Sequence, residues 1–197
     1  STCEVYGANH AAPDESVLPN PASLYARSKL AAERLLLDHP DRRTAPVVLR
    51  LADAYGVSYR PRFDLAVNAL VAQAAVLGRA ELGGDRWRPF VHVDDVARAL
   101  VAVVEAPLAQ VAHQVFNVGA DAANGQVRDL GAQLRVLLPQ REVRIDEDCA
   151  RLRVGCDKLR AVVGFQPIRS IAEGVAELLL SIDGPQRRWR DPHYDNA

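Results

Sequence analysis

The sequence predicts an α/β fold with a mostly parallel sheet. Three features carry that expectation: apolar runs of strand length recur along the 197 residues, stretches with helical periodicity lie between them, and the connections are short. In order, Ser1-Thr2-Cys3-Glu4-Val5-Tyr6-Gly7 reads as the end of a strand whose start is missing, followed by a polar loop through Asn20-Pro21. Ser23 stands where an N-cap belongs, because its hydroxyl can accept from a free N–H of the first turn. Leu24 to about Leu37 continues as a helix. Val47-Val48-Leu49-Arg50-Leu51 reads as a buried strand, and Phe63 to Leu77, apolar nearly all round, as a helix buried on more than one side.

Phe90-Val91-His92-Val93 alternates as a strand, and Asp94-Asp95 open a helix to about Glu105, where carboxylates suit the positive end of the helix dipole. Val115-Phe116-Asn117-Val118 is a further strand ending at Gly119. Helices near Val127–Leu138, Asp157–Val163 and Ile171–Ser181, with a strand near Val143, complete the expected elements. The polar stretch Gln186 to Ala197 reads as an extended tail.

Composition narrows the function classes. The net charge of −1 gives no overall attraction to nucleic acid or an anionic membrane, and no apolar run is long enough to span a bilayer. The three cysteines, Cys3, Cys149 and Cys156, suggest no disulfide framework, and the cysteines and five histidines form no metal-ligand spacing. A cytoplasmic location is expected, with no metal, nucleic acid or membrane partner.

Tyr25 and Lys29 fall at i and i+4 of the first helix, so both project from one face. A free phenol, with a pKa of about 10, is a poor base near neutrality. An ammonium about 4 Å away favours the phenolate by up to ~4 kcal/mol at an effective dielectric near ~20, or up to ~3 pKa units. That brings the phenol toward the range where acid–base catalysis is efficient. A hydroxyl donor such as Thr2 could hold the oxygen whose proton Tyr25 exchanges. The tetrad alone also fits a half-buried tyrosine beside a solvated lysine.

The surrounding residues add a resemblance. Ser1-Thr2-Cys3-Glu4-Val5-Tyr6-Gly7 with Ser23-Leu24-Tyr25-Ala26-Arg27-Ser28-Lys29-Leu30-Ala31-Ala32-Glu33 resembles the catalytic segment of extended short-chain dehydrogenases. More narrowly, the chain is similar to the NAD-dependent epimerase/dehydratase family acting on nucleotide sugars. The similarity continues through Leu49-Arg50-Leu51-Ala52-Asp53-Ala54-Tyr55-Gly56, Arg62–Asn68, Gly83–Asp95 and Phe116–Gly119, and more faintly to Gly164-Phe165.

The resemblance implies the C-terminal part of a Rossmann-type parallel sheet with a small α/β substrate-binding portion. Residues 1–125 would hold the later Rossmann-type elements, interleaved with substrate-binding segments at about 57–90. Residues 126–185 would form the C-terminal substrate-binding portion and 186–197 the tail. By the same resemblance Tyr25 is the acid/base, Lys29 tunes it and binds the nicotinamide ribose, and Thr2 bonds the reacting oxygen. Arg88 grips the substrate diphosphate, and Asn68 and Asn117 line the nucleotide-sugar pocket. Arg88 could instead pair with Asp94 or Asp95, and Asn117 could cap a strand end.

The sequence departs from the family in four places. No glycine-rich dinucleotide turn is present, so most contacts to NAD (or NADP) are expected from a complementary N-terminal half, with this chain alone inactive. Cys3 stands where sugar 4,6-dehydratases carry an acid, which favours 4-epimerisation or 4-keto reduction over dehydration. Asp53 replaces an Asn or Thr, where it would repel a pyrophosphate or pair with an arginine. Ala150 and Leu152 replace a diphosphate-binding arginine and a tyrosine, with Arg151 or Arg153 as substitutes.

The expected function is therefore NAD-dependent epimerisation or oxidoreduction at C4 of a nucleotide-diphosphate sugar, in a homo-oligomer. The alternatives are a non-catalytic binding or assembly module and an NADPH-dependent 4-ketoreductase.

Overall fold

The computed structural model describes residues 1–7, 12–39, 43–59, 62–82, 89–119, 127–145 and 154–183. The chain opens with Thr2 in a single parallel bridge to Leu51. It then turns at once into a 3-10 turn, Cys3–Tyr6, which Thr2 caps by accepting the Glu4 N–H at 3.2 Å. The expected strand end is thus one bridge long, because the threonine side chain competes for the backbone.

Helix α1 spans Leu24–Leu37, and Ser23 caps it by accepting from Ala26 N at 3.0 Å. Strands β1 (Val48–Leu51) and β2 (Asp53–Tyr55) form one extended run that changes partner. β1 pairs parallel with β5 (Val115–Val118), whereas β2 pairs parallel with β4 (Phe90–His92). The switch falls at Ala52 and Asp53, whose N–H groups donate to Val118 and Pro89 carbonyls, each at 2.8 Å. Sequence periodicity does not reveal β2, since three residues carry almost no alternation.

The predicted helix 63–77 is shorter and irregular. Helix α2 runs Ala66–Ala72, then widens into a π-turn, Gln73–Leu77, which ends at Gly78 with φ +76°. Strand β3 (Arg79–Leu82) follows, unanticipated, and pairs parallel with β6 (Glu142–Ile145). Helix α3 covers Val93–Glu105, and α4 is a short turn, Leu108–Val111, absent from the sequence reading. Helices α5 (Val127–Leu137), α6 (Asp157–Val163) and α7 (Ile171–Asp183) lie close to their expected bounds.

Three apolar clusters organise these elements. Leu49 and Leu51 join Phe116, Val118, Ala99, Val103 and Leu159 on the α3–α6 side of the β1–β5 pair. Arg50 and Asn117, adjacent in register, face the other way, toward α1 and the opening turn. That second face is closed by Cys3, Val5, Tyr6, Leu30, Val154 and Cys156. The third cluster unites Tyr55, Val67, Leu70, Val71 and Phe90 with Leu130, Leu134, Val143, Ile171, Val175 and Leu178, so α2 and β3 share a core with α5, β6 and α7.

Candidate active site

Helix α1 presents two faces because Ala26, Leu30 and Glu33 are buried at helical spacing while Tyr25 and Lys29 lie beside them. Tyr25 is 49% exposed, and the Lys29 ammonium lies 5.5 Å from its ring centroid. The predicted pair therefore converges on one half-open surface. The opening turn is tied along this helix at two points: Ser23 donates to Glu4 Oε2 at 3.3 Å, and Ser1 Oγ donates to Glu33 Oε1 at 2.5 Å. Thr2, between those ties, is buried. Its hydroxyl oxygen accepts from Glu4 N at 3.2 Å.

The two asparagines occupy different surroundings from the open Tyr25 face. Asn68 is buried on α2, where Gly56 N donates to its Oδ1 at 3.1 Å and its Nδ2 donates to Arg62 O at 3.0 Å. Its amide thus bridges the two ends of the segment between β2 and α2. Asn117 is fully buried within β5, not at its end. Its Oδ1 accepts from the Tyr6 hydroxyl at 2.8 Å, and its Nδ2 donates to Gly155 O at 2.9 Å. Both amides hold protein groups in place.

Arg88, Cys149, Ala150, Arg151, Leu152, Arg153 and the tail lie outside the described residues. The two carboxylates considered as partners for Arg88 have others: Asp94 with Arg169 at 3.1 Å, and Asp95 with Arg98 at 2.7 Å. Cys3 is 3% exposed and donates to Arg50 O at 3.2 Å, and burial pushes its thiol well above the usual range. It packs as a core residue. Asp64, bonded to Arg62 at 3.1 Å, does most to hold that guanidinium's pKa up, with the Tyr25 phenol and then Asp53 contributing less.

Sequence reasoning passed over a buried polar network beneath α1. Arg50 Nε donates to Glu33 Oε1 at 3.0 Å, its Nη2 to Glu33 Oε2 at 2.7 Å and its Nη1 to the Tyr6 hydroxyl at 2.9 Å. Burial pushes the Tyr6 phenol up to about 12. The signal was present: an arginine inside an apolar strand must find a partner when buried. Among the described residues, no group of His, Cys, Asp and Glu side chains could hold a metal ion, and no helix is long and apolar enough to cross a membrane.

Parallel strands alternating with helices, and a tyrosine–lysine pair one turn apart on an open helix face, define a Rossmann-type short-chain dehydrogenase/reductase class. The family model of the NAD dependent epimerase/dehydratase family matches residues 1–119. The UDP-glucose 4-epimerase of Mycolicibacterium smegmatis is 31% identical over 188 residues, covering 88% of this chain and 57% of that protein. RMD from Pseudomonas aeruginosa, solved with NADPH, has a TM-score of 0.77 at 27% identity, covering 93% of this chain and 65% of the other. MoeE5, solved with UDP-glucuronic acid and NAD, has a TM-score of 0.75 at 27% identity, covering 91% and 62%. The chain belongs to the NAD dependent epimerase/dehydratase family. It spans little more than half the length of the curated relative.

Proposed function

We propose that this chain, joined to a dinucleotide-binding portion, acts at C4 of a nucleotide-diphosphate sugar as an NAD-dependent epimerase or oxidoreductase. The observation that carries the reading is the Lys29 ammonium over the half-exposed Tyr25 ring. Lys29 favours the phenolate through its charge, and Tyr25 takes the sugar hydroxyl proton. Thr2 donates its hydroxyl proton to the reacting oxygen and fixes its direction. NAD, when bound, supplies the acceptor for the hydride that leaves the same carbon. The donor set fits that cofactor's ribose, since an ammonium and a phenol side by side suit a diol.

Asn68 and Asn117 serve the sugar pocket by fixing loops, since both amides are already bonded. Arg88 serves the diphosphate, work suited to a guanidinium fork. Residues 1–125 are the Rossmann-type part with inserted substrate-binding segments, and 126–185 complete the substrate side. The shared core of α2, β3, α5, β6 and α7 supports that interleaving. The exposed stripe of Leu100, Val101, Val104 and Leu108 supports a homo-oligomer or a contact with the complementary portion. The buried cysteines Cys3 and Cys156, which form no disulfide with each other, support a reducing cytoplasm.

A 4-ketoreductase is the second reading, favoured by the likeness to RMD with NADPH; Tyr25 would then donate its proton. The test is turnover of UDP-glucose by the chain joined to its dinucleotide-binding portion. Tyr25→Phe is expected to abolish it with the fold intact by circular dichroism. Retained turnover removes the mechanism.

A further inference from the structure

Tyr25, Lys29 and Glu33 stand at i, i+4 and i+8 of α1, so a phenol, an ammonium and a carboxylate follow one another along the helix. A carboxylate free to meet Lys29 would cancel much of the ammonium's field at the phenol. The structure keeps them apart. Glu33 is 3% exposed, with both oxygens gripped by the Arg50 fork and one also accepting from Ser1 Oγ. Arg50, 5% exposed on β1, is itself braced through Tyr6 to Asn117 on β5. Lys29 is left over Tyr25. Stability alone gives little reason for this arrangement, since apolar pairs of similar volume often match or better a buried ion pair.

We propose that Arg50 is a positioning residue for the Tyr25–Lys29 pair: by holding Glu33 in a buried ion pair, it keeps that carboxylate off Lys29 and leaves the ammonium to the phenol. The inference deepens the assignment of Tyr25 as acid/base and rests on it. Among the described residues, the other charges near the pair include Arg62 with Asp64 and Asp53, Glu4 at the head of α1 and, in the 197-residue chain, the Ser1 amino group near Lys29. All of them stay unchanged in the variants below, and comparing Arg50→Met with and without Glu33→Gln isolates Glu33 from the lost Arg50 charge.

The test titrates Tyr25 in the 197-residue chain by NMR of ring-labelled tyrosine, with its resonance assigned through Tyr25→Phe. Arg50→Met, which releases Glu33, is expected to raise the Tyr25 pKa by about one unit. Adding Glu33→Gln removes the carboxylate and is expected to return the value to within about 0.3 unit of wild type. Arg50→Lys keeps the charge without the fork. It is expected to shift the value the same way by less, and it carries the test where Arg50→Met does not fold.

An unmoved pKa on release of Glu33 overturns the proposal, as does a rise that persists after Glu33→Gln. Turnover separates the two readings. If Tyr25→Phe stays active, the acid/base assignment falls and this inference with it. If Tyr25→Phe is inactive but the titration shows no shift, only the role of Arg50 falls.

Discussion

Replacing Lys29 by methionine removes the charge while keeping most of the side chain's length, and the effect can be worked from the geometry. The ammonium is 5.5 Å from the Tyr25 ring centroid. At that scale an effective dielectric near ~20 gives about 3 kcal/mol, or about two pKa units. Tyr25 is 49% exposed, so water and salt leave about half of that. Lys29→Met is therefore expected to raise the Tyr25 pKa by about one unit. A base must be deprotonated to act, so a higher pKa moves the acidic limb of the kcat profile upward. At a pH on that limb, kcat falls about tenfold. The pH–rate profile of the chain joined to a dinucleotide-binding portion, as proposed above, reads this change, and NMR of ring-labelled tyrosine reads it without turnover. A Tyr25 pKa that stays put in a folded Lys29→Met chain refutes the electrostatic argument.

Three further outcomes follow from the packing. Asp95 is 1% exposed and accepts from Ile168 N, Arg169 N and Arg98, so Asp95→Ala is expected to cost about 3 kcal/mol in urea unfolding, mostly through the two backbone bonds; a loss under about 1 kcal/mol contradicts this. Gly174→Ala adds about 1 kcal/mol of helix propensity to α7, but its Cβ would come 2.4 Å from Tyr55 Cε2 in the core. Overpacking of about 1–3 kcal/mol is expected to prevail, and a raised Tm refutes that balance. Cys3 and Tyr6 are held above their ordinary values by burial, so their contribution is complete below the unfolded-state values and lost as pH rises past them. The urea midpoint is thus expected to fall above about pH 9, and to fall later in Cys3→Ala; a flat midpoint opposes it.

What was readable in advance was local. The bounds of α1, its Ser23 cap and the shared face of Tyr25 and Lys29 depend on residues within four positions of one another, so periodicity and capping chemistry suffice. The same holds for α3, whose first turn carries Asp94 and Asp95 as expected, with His92 as its cap, the Nδ1 accepting from Asp94 N at 3.2 Å. Asp95 also ties α3 to residues 168–169, some seventy positions away, which no helix rule anticipates.

The sequence alone determined that a phenol and an amine would meet on one helix face, because a helix fixes that geometry by itself. Only the tertiary structure decided the surroundings of that pair. It switched the β1–β2 run between two partners at Ala52, committed Asn68 to nearby backbone and Asn117 to the Tyr6 hydroxyl and Gly155 carbonyl, and took Glu33 from its helix neighbour Lys29 to Arg50. Strand partners and buried ion pairs join residues far apart in the chain, so their identity is set by which surfaces the closed fold removes from water.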